Sequence, residues 1–252
     1  MLGHLMRRAG VKHFYMHSIT GIDPPELVYF QRDNFERYKA DGYLTYDIMY
    51  SMSMIKLCQK KGILPMRQRR FCCEHLKERY TPEQGNAILS MGVRKAESSN
   101  RNAKRNELEI VTGKKNIIMP FDNSDNRRTF ETCYRDNSRR VNPIAYWSNE
   151  DIWNYSNDVK LKQCCLYNEG HDRLGCIGCP NATEQCRKRE FVRWPKFKAY
   201  YILIAEKIIE TRKLKGQKLF INSPEKYFDW WVSDRAQEKT DEDQLDFWEF
   251  AY

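Results

Sequence analysis

Apolar positions recur along the first half of the chain at spacings that predict short helices separated by strands. Leu2, Leu5 and Met6 form one apolar helical face that Gly10 ends, and residues 11–19 are an apolar and aromatic run typical of a strand. The other predicted strands are residues 88–93 and 141–146, and the other predicted helices are residues 53–61, residues 190–215 and a helix that begins at Ser223.

Two further helices are predicted from their capping residues. Asp23 is expected to cap a helix that continues to residue 40, with prolines in its first turn and Glu26 at the capping-box position. Ser148 begins a second capping-box pattern, Ser-Asn-Glu-Asp, and therefore predicts another helix start.

The order of these elements predicts the fold class. Strands alternating with helices over residues 1–182 are typical of an α/β protein with a Rossmann-like, doubly wound, mostly parallel sheet. From residue 183 the pattern becomes helical. We therefore expect a nucleotide-binding α/β domain at residues 1–182 and a helical C-terminal extension at residues 183–252.

Composition indicates the class of protein and its cellular compartment. Hydrophobic residues make up 41% of its 252 residues, which is typical of a globular protein. No apolar run approaches the roughly 20 residues of a membrane span, and the N-terminal segment lacks a secretory signal pattern. We therefore expect a cytoplasmic protein with no membrane partner, in which the nine cysteines are reduced.

Four of these cysteines form a candidate metal site. Cys72 and Cys73 are adjacent, and Cys176 and Cys179 form a CxxC motif much later in the chain. Four thiolates suit an iron-sulfur cluster or a structural zinc ion. Adjacent side chains diverge on regular backbone, so a helix end or loop must direct both thiols inward. The alternative is four free cysteines packed as small apolar groups.

Other residues near the motif offer alternative ligands. His171 could replace a thiolate in a zinc site, although such a histidine is more often a loop residue with a backbone partner. Cys164 and Cys165 form a second adjacent pair, which could be another ligand set, a sulfur-carrying thiol or core packing.

The charge of the chain suggests an anionic partner. The formal net charge is +9, and the basic residues are unevenly spread. Clusters of this kind fit a nucleic-acid surface, a pocket for a phosphorylated nucleotide, or a solvated basic face. Their positions between predicted elements favour the pocket. The clusters lie at residues 67–70, 94–105, 127–140 and 187–193.

Several segments, in order, resemble the phosphoadenosine phosphosulfate reductase family, within the adenine-nucleotide enzymes that include the ATP pyrophosphatases. The segments are GIDPPEL at residues 21–27, RFCCEHLK at 70–77, GVRKAES at 92–98 with Arg101, NPI at 142–144 with Trp147 and Ser148, LYNEG at 166–170 and RLGCIGCP at 173–180. From the first segment to the last they span most of the first 180 residues, in family order.

The resemblance implies a nucleotide site at the carboxyl ends of parallel strands. It implies a four-iron four-sulfur cluster on the four cysteines, with zinc as the alternative. It also places Arg94 on the phosphate or sulfate of an adenine nucleotide, namely adenylyl sulfate, its 3′-phosphorylated form or ATP. Lys95 and Arg101 are weaker candidates, and the alternative for Arg94 is an ion pair with Glu97.

Three more residues are candidate ligands for the same nucleotide. Asp23 is either a helix cap or part of the ligand crevice at the end of a strand. Arg187 and Arg189, just after the CxxC motif, either reach a bound anion, adjust the charge around the cluster, or solvate the start of a helix. A thiol reductant or a sulfur-donor protein is the partner that this chemistry implies.

Two departures from the family bear on activity. The phosphate-binding SGGKDS loop is absent, and residues 2–9 resemble the helix that follows it, so we expect an N-terminally truncated domain with reduced or lost catalysis in this chain. Either the true start lies upstream of Met1, or the chain is a remnant that tolerates the gap. The nucleophilic tail cysteine of the reductases is also absent after Cys186. Two alternatives therefore stand beside a reductase-like enzyme: an ATP-dependent sulfurtransferase acting on nucleic acid, as in phosphorothioate DNA modification, and a non-catalytic, metal-stabilised basic binding module.

Overall fold

The computed structural model describes residues 1–78, 87–112, 115–119, 139–219 and 221–234. The chain divides by its internal contacts into two units. The first unit is Met1–Tyr15 with Tyr80–Gln163, and the second unit is Met16–Arg79 with Cys164–Tyr252. The predicted domain boundary at residue 182 lies inside the second unit.

The described elements are mostly short. The strands are β1 (Tyr15–Ile19), β2 (Thr45–Met49), β3 (Leu89–Ser90), β4 (Leu108–Thr112), β5 (Lys115–Met119) and β6 (Arg139–Val141). The helices are α1 (Leu2–Arg8), α2 (Pro25–Ala40), α3 (Met54–Lys61), α4 (Phe71–Cys73, continued by a π-helical turn at Glu74–Glu78), α5 (Ser99–Lys104), α6 (Asn149–Asp158), α7 (Glu184–Arg193), α8 (Pro195–Leu214) and α9 (Pro224–Val232). Single 3₁₀ turns lie at Lys95–Glu97 and Cys165–Tyr167.

The first unit contains a mixed sheet. Its strand order is β3-β6-β4-β5, with β3 parallel to β6 and β4 antiparallel to both β6 and β5. The α/β class is therefore confirmed, but the described strands of this sheet are not mostly parallel and do not establish the doubly wound arrangement. In the second unit, β1 and β2 form a two-stranded sheet.

The predicted strands are longer than the observed ones. β1 begins at Tyr15, and β3 is a two-residue segment within the predicted residues 88–93. The prediction for residues 141–146 is wrong beyond Val141, where the chain enters a turn. Pro143 explains the difference, because proline has no N–H to donate and its ring restricts the backbone.

A buried carboxylate joins the sheet of the first unit to the turn after β6. Glu109 in β4 is fully buried, and its two oxygens accept hydrogen bonds from Asn142 Nδ2 at 2.8 Å and Arg105 Nη1 at 2.6 Å. Asn142 Nδ2 also donates to the Asn106 carbonyl at 2.6 Å. A buried charge is tolerated only when it is paired in this way, so the network holds the turn against β4.

Several predicted helices are confirmed at their ends. The Ser148 hydroxyl accepts from Asp151 N while the Asp151 carboxylate accepts from Ser148 N, which is the predicted capping box of α6. α3 ends at Gly62, whose φ of +70° is the left-handed conformation that favours glycine. The Ser223 hydroxyl accepts from Lys226 N at the start of α9.

Two other helix predictions are wrong. The predicted helix at residues 190–215 is two helices, α7 and α8, because Pro195 disfavours helical backbone at Trp194, where φ is −124° and ψ is 72°. α2 has Pro24 as its N-cap, with no side-chain cap, so Asp23 does not cap it. Glu26 instead accepts from Trp194 Nε1 at 3.1 Å.

The core of the second unit forms where α7, α8 and α9 pack against α3 and α4. Its large buried side chains include Phe191, Tyr201, Ile204, Ile208 and Trp231. Phe191 packs edge-on against Tyr201, and Tyr201 stacks on Trp231 with ring centroids 4.8 Å apart. Within the described part of the chain, every helix is too short or too polar to span a bilayer.

The Glu109 network predicts a specific stability loss. We expect Asn142→Ala to lower the free energy of unfolding by about 2 kcal/mol, because one oxygen of a buried carboxylate loses its donor. Chemical denaturation measures this change. Asn157→Ala, at an exposed position of α6, is the control and should change stability by less than about 0.5 kcal/mol. Equal effects of the two substitutions would contradict the role of the network.

Candidate metal centre

Cys72 and Cys73 lie where a helix changes its geometry. They end α4, and the chain continues as the π-helical turn Glu74–Glu78. Cys72 is buried and Cys73 half-buried, and their thiols hydrogen-bond to each other. The expected irregular backbone at an adjacent cysteine pair is therefore observed, and π-helical turns are common at functional sites.

The CxxC motif forms a tight turn centred on Ile177 and Gly178. Ile177 is fully buried, and its N–H donates to the Ile22 carbonyl at 2.8 Å. Gly178 has a φ of +69°, and a Cβ atom there would lie 2.6 Å from the Phe191 ring and 3.1 Å from the Trp231 ring. Only glycine fits this position, both for its conformation and for the close approach of the two rings.

The two cysteine pairs line one pocket of the second unit. All four thiol-bearing residues lie in the wall of this pocket. The rest of the wall is mostly apolar: Thr20, Ile22, Met54, Pro65, Leu76, Lys77, Gly178, Pro180, Tyr201 and Trp231. Tertiary packing therefore brings together two motifs that are far apart in the sequence.

The thiols are not gathered around a single point. The described residues contain no group of three or more His, Cys, Asp or Glu side chains placed to hold one metal ion. A tetrahedral zinc ion with 2.3 Å bonds needs its sulfurs about 3.8 Å apart. The four cysteines of a four-iron cluster bind different irons and are spread more widely. The described residues therefore do not present a preformed site for a single zinc ion.

Lys77 brings a positive charge to the thiols. It lines the pocket, and although burial acts to lower the pKa of Lys77, the charge and hydrogen bond of Cys176 together with the charges of Asp23 and Cys73 raise this pKa overall. Burial raises the pKa of Cys176 to about 12, and Lys77 opposes that rise. No role for Lys77 was predicted from the sequence. Its position four residues after Cys73 in a helical segment was the available signal.

The adjacent thiols have unequal proton affinities. The hydrogen bond from Cys72 lowers the pKa of Cys73 to about 6, and Lys77 and Arg70 act in the same direction. The same hydrogen bond, followed by burial, raises the pKa of Cys72. One thiolate of the pair is therefore readily formed, as ligation of a metal requires.

Asp23 and Thr20 form a polar edge beside the pocket. The Thr20 hydroxyl donates to Asp23 Oδ2 at 2.6 Å and accepts from Ile22 N at 3.2 Å. Cys176 Sγ lies 3.8 Å from the same hydroxyl oxygen. Asp23 therefore belongs to the surroundings of Cys176, and its negative charge contributes to the raised pKa of Lys77.

Arg187 has a structural environment. Its side chain is fully buried, with Nε and Nη2 donating to the Val232 carbonyl at 3.0 and 2.7 Å and Nη1 donating to the Pro180 carbonyl at 3.3 Å. Nη1 also donates to the Ala182 carbonyl, and Nη2 to Asp234. These contacts occupy the guanidinium and favour a role in holding the loop after the CxxC motif over the predicted anion binding.

The remaining candidates of the second unit lie away from the pocket wall. Arg189 is exposed, and its Nη1 lies 3.4 Å from the Gly170 carbonyl. His171 is buried against Trp194, with ring centroids 5.6 Å apart. Cys164 is buried and Cys165 exposed, and neither they nor His171 line the pocket. The alternative ligand sets therefore receive no support.

The candidate anion-binding residues of the first unit surround Glu97. Arg94 Nε lies 3.5 Å from Glu97 Oε1, and Arg101 also pairs with this carboxylate. Lys95 Nζ donates to the Tyr146 hydroxyl at 3.2 Å. The alternative ion pair is therefore present. It leaves Arg94 Nη1 buried, with no hydrogen-bond partner among the described residues.

Comparison with known families identifies the class of the protein. A sequence model of the phosphoadenosine phosphosulfate reductase domain matches residues 1–182. The chain therefore belongs to the phosphoadenosine phosphosulfate reductase family, as the motifs of the sequence predicted.

Individual relatives are distant. An uncharacterized 37.8 kDa protein of Escherichia phage 186 is 26% identical over 178 residues, which are 67% of this chain and 47% of that protein. An uncharacterized protein of Methanocaldococcus jannaschii is 28% identical over 57% of this chain and 28% of its own length. An adenosine 5′-phosphosulfate reductase of Staphylococcus epidermidis is 30% identical over 57 residues, 23% of this chain and 24% of the enzyme. The chain thus matches less than half the length of each relative.

The contacts of Arg187 predict that lysine cannot replace it. We expect Arg187→Lys to lower the free energy of unfolding by about 2 kcal/mol, because an ammonium group cannot reach the backbone carbonyls that the guanidinium joins. Denaturant titration measures the loss. Arg189→Lys, two residues later and exposed, is the matched control and should be nearly neutral. A neutral Arg187→Lys would contradict the structural role.

Proposed function

We propose that this protein binds an adenylated sulfate and holds a four-iron four-sulfur cluster on Cys72, Cys73, Cys176 and Cys179. The observation that carries the proposal is that both cysteine pairs line the same pocket. An adenylated sulfate would transfer its sulfonyl group to a nucleophile and release the adenylate as the leaving group. Family membership supports the nucleotide, and the thiol set supports the cluster.

The donor set and its surroundings fit a cluster. Four thiols are the ordinary ligands of such a cluster, and all four line this pocket. Four thiolates give the site a strong negative charge, which the buried ammonium of Lys77 partly offsets. The mostly apolar wall limits access of water. When bound, the cluster would adjust the electrostatic potential of the site or supply redox chemistry there. Lys77 and Thr20 hold the sulfur of Cys176 in place.

Unpaired donors in the first unit support the anion-binding half of the proposal. Arg94 Nη1, Arg140 Nε and Ser90 Oγ are buried and have no partner among the described residues. Ser90 ends β3 and Arg140 lies in β6, the parallel pair of the sheet. Ligands of α/β proteins bind at the carboxyl ends of parallel strands, and arginine suits sulfate and phosphate oxygens.

Removal of one predicted ligand tests the cluster. We expect anaerobically purified protein to contain about four irons and four sulfides per chain, and Cys176→Ser to lose most of both. Cys165→Ser is the matched control, because Cys165 is exposed and outside the pocket wall. Iron, sulfide and zinc analysis measures the result. A native protein with one zinc and no iron would refute the cluster, as would unchanged iron in Cys176→Ser.

Removal of the Arg94 charge tests the binding of the nucleotide. We expect Arg94→Ala to weaken the binding of adenylyl sulfate about tenfold to a hundredfold, as loss of a charge-assisted hydrogen bond predicts. Isothermal titration calorimetry measures the affinity. Arg8→Ala is the control, since Arg8 is exposed and donates to the Tyr155 hydroxyl in the same unit. Equal affinities of native protein and Arg94→Ala would count against Arg94 as an anion ligand.

A further inference from the structure

The peptide group between Ile177 and Gly178 is held from both of its sides. The Tyr201 hydroxyl donates to the Ile177 carbonyl at 2.9 Å, and the Gly178 N–H donates to Glu190 Oε2 at 2.8 Å. These two backbone atoms belong to one trans peptide plane, so they point in opposite directions. Contacts on both ends of the plane determine its rotation about the chain.

This peptide is the central one of the CxxC motif. Ile177 and Gly178 are the two turn residues between Cys176 and Cys179, and the φ of Gly178 is the positive value found at the third position of a type II turn. Rotation of the central peptide converts a type II turn into a type I turn. Such a rotation would exchange the directions of the Ile177 carbonyl and the Gly178 N–H and break both hydrogen bonds.

The two residues that hold the peptide are costly to bury. Tyr201 is 1% exposed and Glu190 is 9% exposed. Burial raises the pKa of Glu190, and its described partners are the Gly178 N–H and the thiol of Cys186, with no basic side chain hydrogen-bonded to it. Apolar residues would pack at both positions without a desolvation cost. The polar groups are therefore explained by the peptide that they hold.

Both residues lie beyond the segment matched by the family. The match ends at residue 182, whereas Glu190 is on α7 and Tyr201 is on α8. Elements outside the family domain therefore contact the backbone of the candidate metal loop.

We propose that Glu190 and Tyr201 are positioning residues for Cys176 and Cys179, which hold the central peptide of the CxxC turn in one orientation so that both thiols face the pocket. The identity of the bound group, an iron-sulfur cluster, rests on the function proposed above. The positioning itself is a property of the loop and exists with or without a metal.

Single-atom changes test the carbonyl side. Tyr201→Phe removes only the hydroxyl, and Tyr227→Phe is the matched control, because Tyr227 is also buried and its hydroxyl accepts from Leu64 N. We expect Tyr201→Phe to release iron to a chelator about fivefold to tenfold faster than Tyr227→Phe, as loss of one hydrogen bond predicts. Equal release rates would overturn the role of Tyr201.

Two substitutions of Glu190 test the hydrogen bond from the Gly178 N–H. Glu190→Gln keeps an acceptor oxygen and should retain the native release rate, whereas Glu190→Leu removes the acceptor and should accelerate release. Hydrogen exchange of the Gly178 amide gives a direct readout, with protection kept in the glutamine variant and lost in the leucine variant. If glutamine and leucine act alike, the carboxylate charge and not the peptide contact matters, and the proposal is wrong.

A metal-free measurement separates this proposal from the cluster. In the reduced, metal-free full chain, alkylation of Cys176 and Cys179 is followed by mass spectrometry, with Cys165 as internal standard. We expect both rates to change in Tyr201→Phe and Glu190→Leu and to stay native in Tyr227→Phe. Native protein that binds no iron refutes the cluster alone. Unchanged alkylation and exchange in the variants refute the positioning role alone.

Discussion

The burial of Ile177 is the constraint on which the candidate metal centre depends. Its side chain is fully buried, its N–H binds the Ile22 carbonyl and its carbonyl binds Tyr201. Because Ile177 follows Cys176 directly, seating it in the core turns the CxxC thiols toward the pocket that also receives Cys72 and Cys73. Burial of the Ile177 side chain contributes about 1.5–3 kcal/mol to stability, and this burial determines the direction of the neighbouring thiols. The positions of the thiols are therefore a consequence of core packing and do not depend on contacts made by the cysteine side chains themselves.

Two buried charges of the second unit make most of their hydrogen bonds to backbone atoms. Arg187 binds the carbonyls of Pro180 and Val232, and Glu190 binds the N–H of Gly178. Each charge is expensive to desolvate, and an apolar residue of similar size would often give equal stability. An apolar residue cannot fix the orientation of a loop whose peptide groups lack hydrogen-bond partners in a helix or sheet. These charges therefore contribute to the conformation of the loops more clearly than to the overall free energy of folding.

Local rules predicted the parts of the structure that depend on neighbours in the sequence. The capping box at Ser148 is such a case, because all its atoms lie within one helical turn. The rules failed where a single residue overrode the pattern: Pro195 divides a helix that apolar spacing predicts as continuous, and Asp23 binds a neighbouring hydroxyl in place of a helix end. The cysteines could be found because thiols carry recognisable chemistry. Glu190 could not, since its contact with the loop exists only after packing and its surroundings in the sequence resemble any charged helix.

The segment that defines the family and the unit that positions the thiols have different limits. The family match ends at residue 182, but the Gly178 turn is closed by the rings of Phe191 and Trp231 and by the hydroxyl of Tyr201, all of which follow that residue. The ring of Phe191 leaves no room for a Cβ atom at the turn, so the conformation of the motif and the packing of the later helices are mutually dependent. Substitutions in α7, α8 or α9 can therefore alter the candidate metal centre while its four cysteines stay in place.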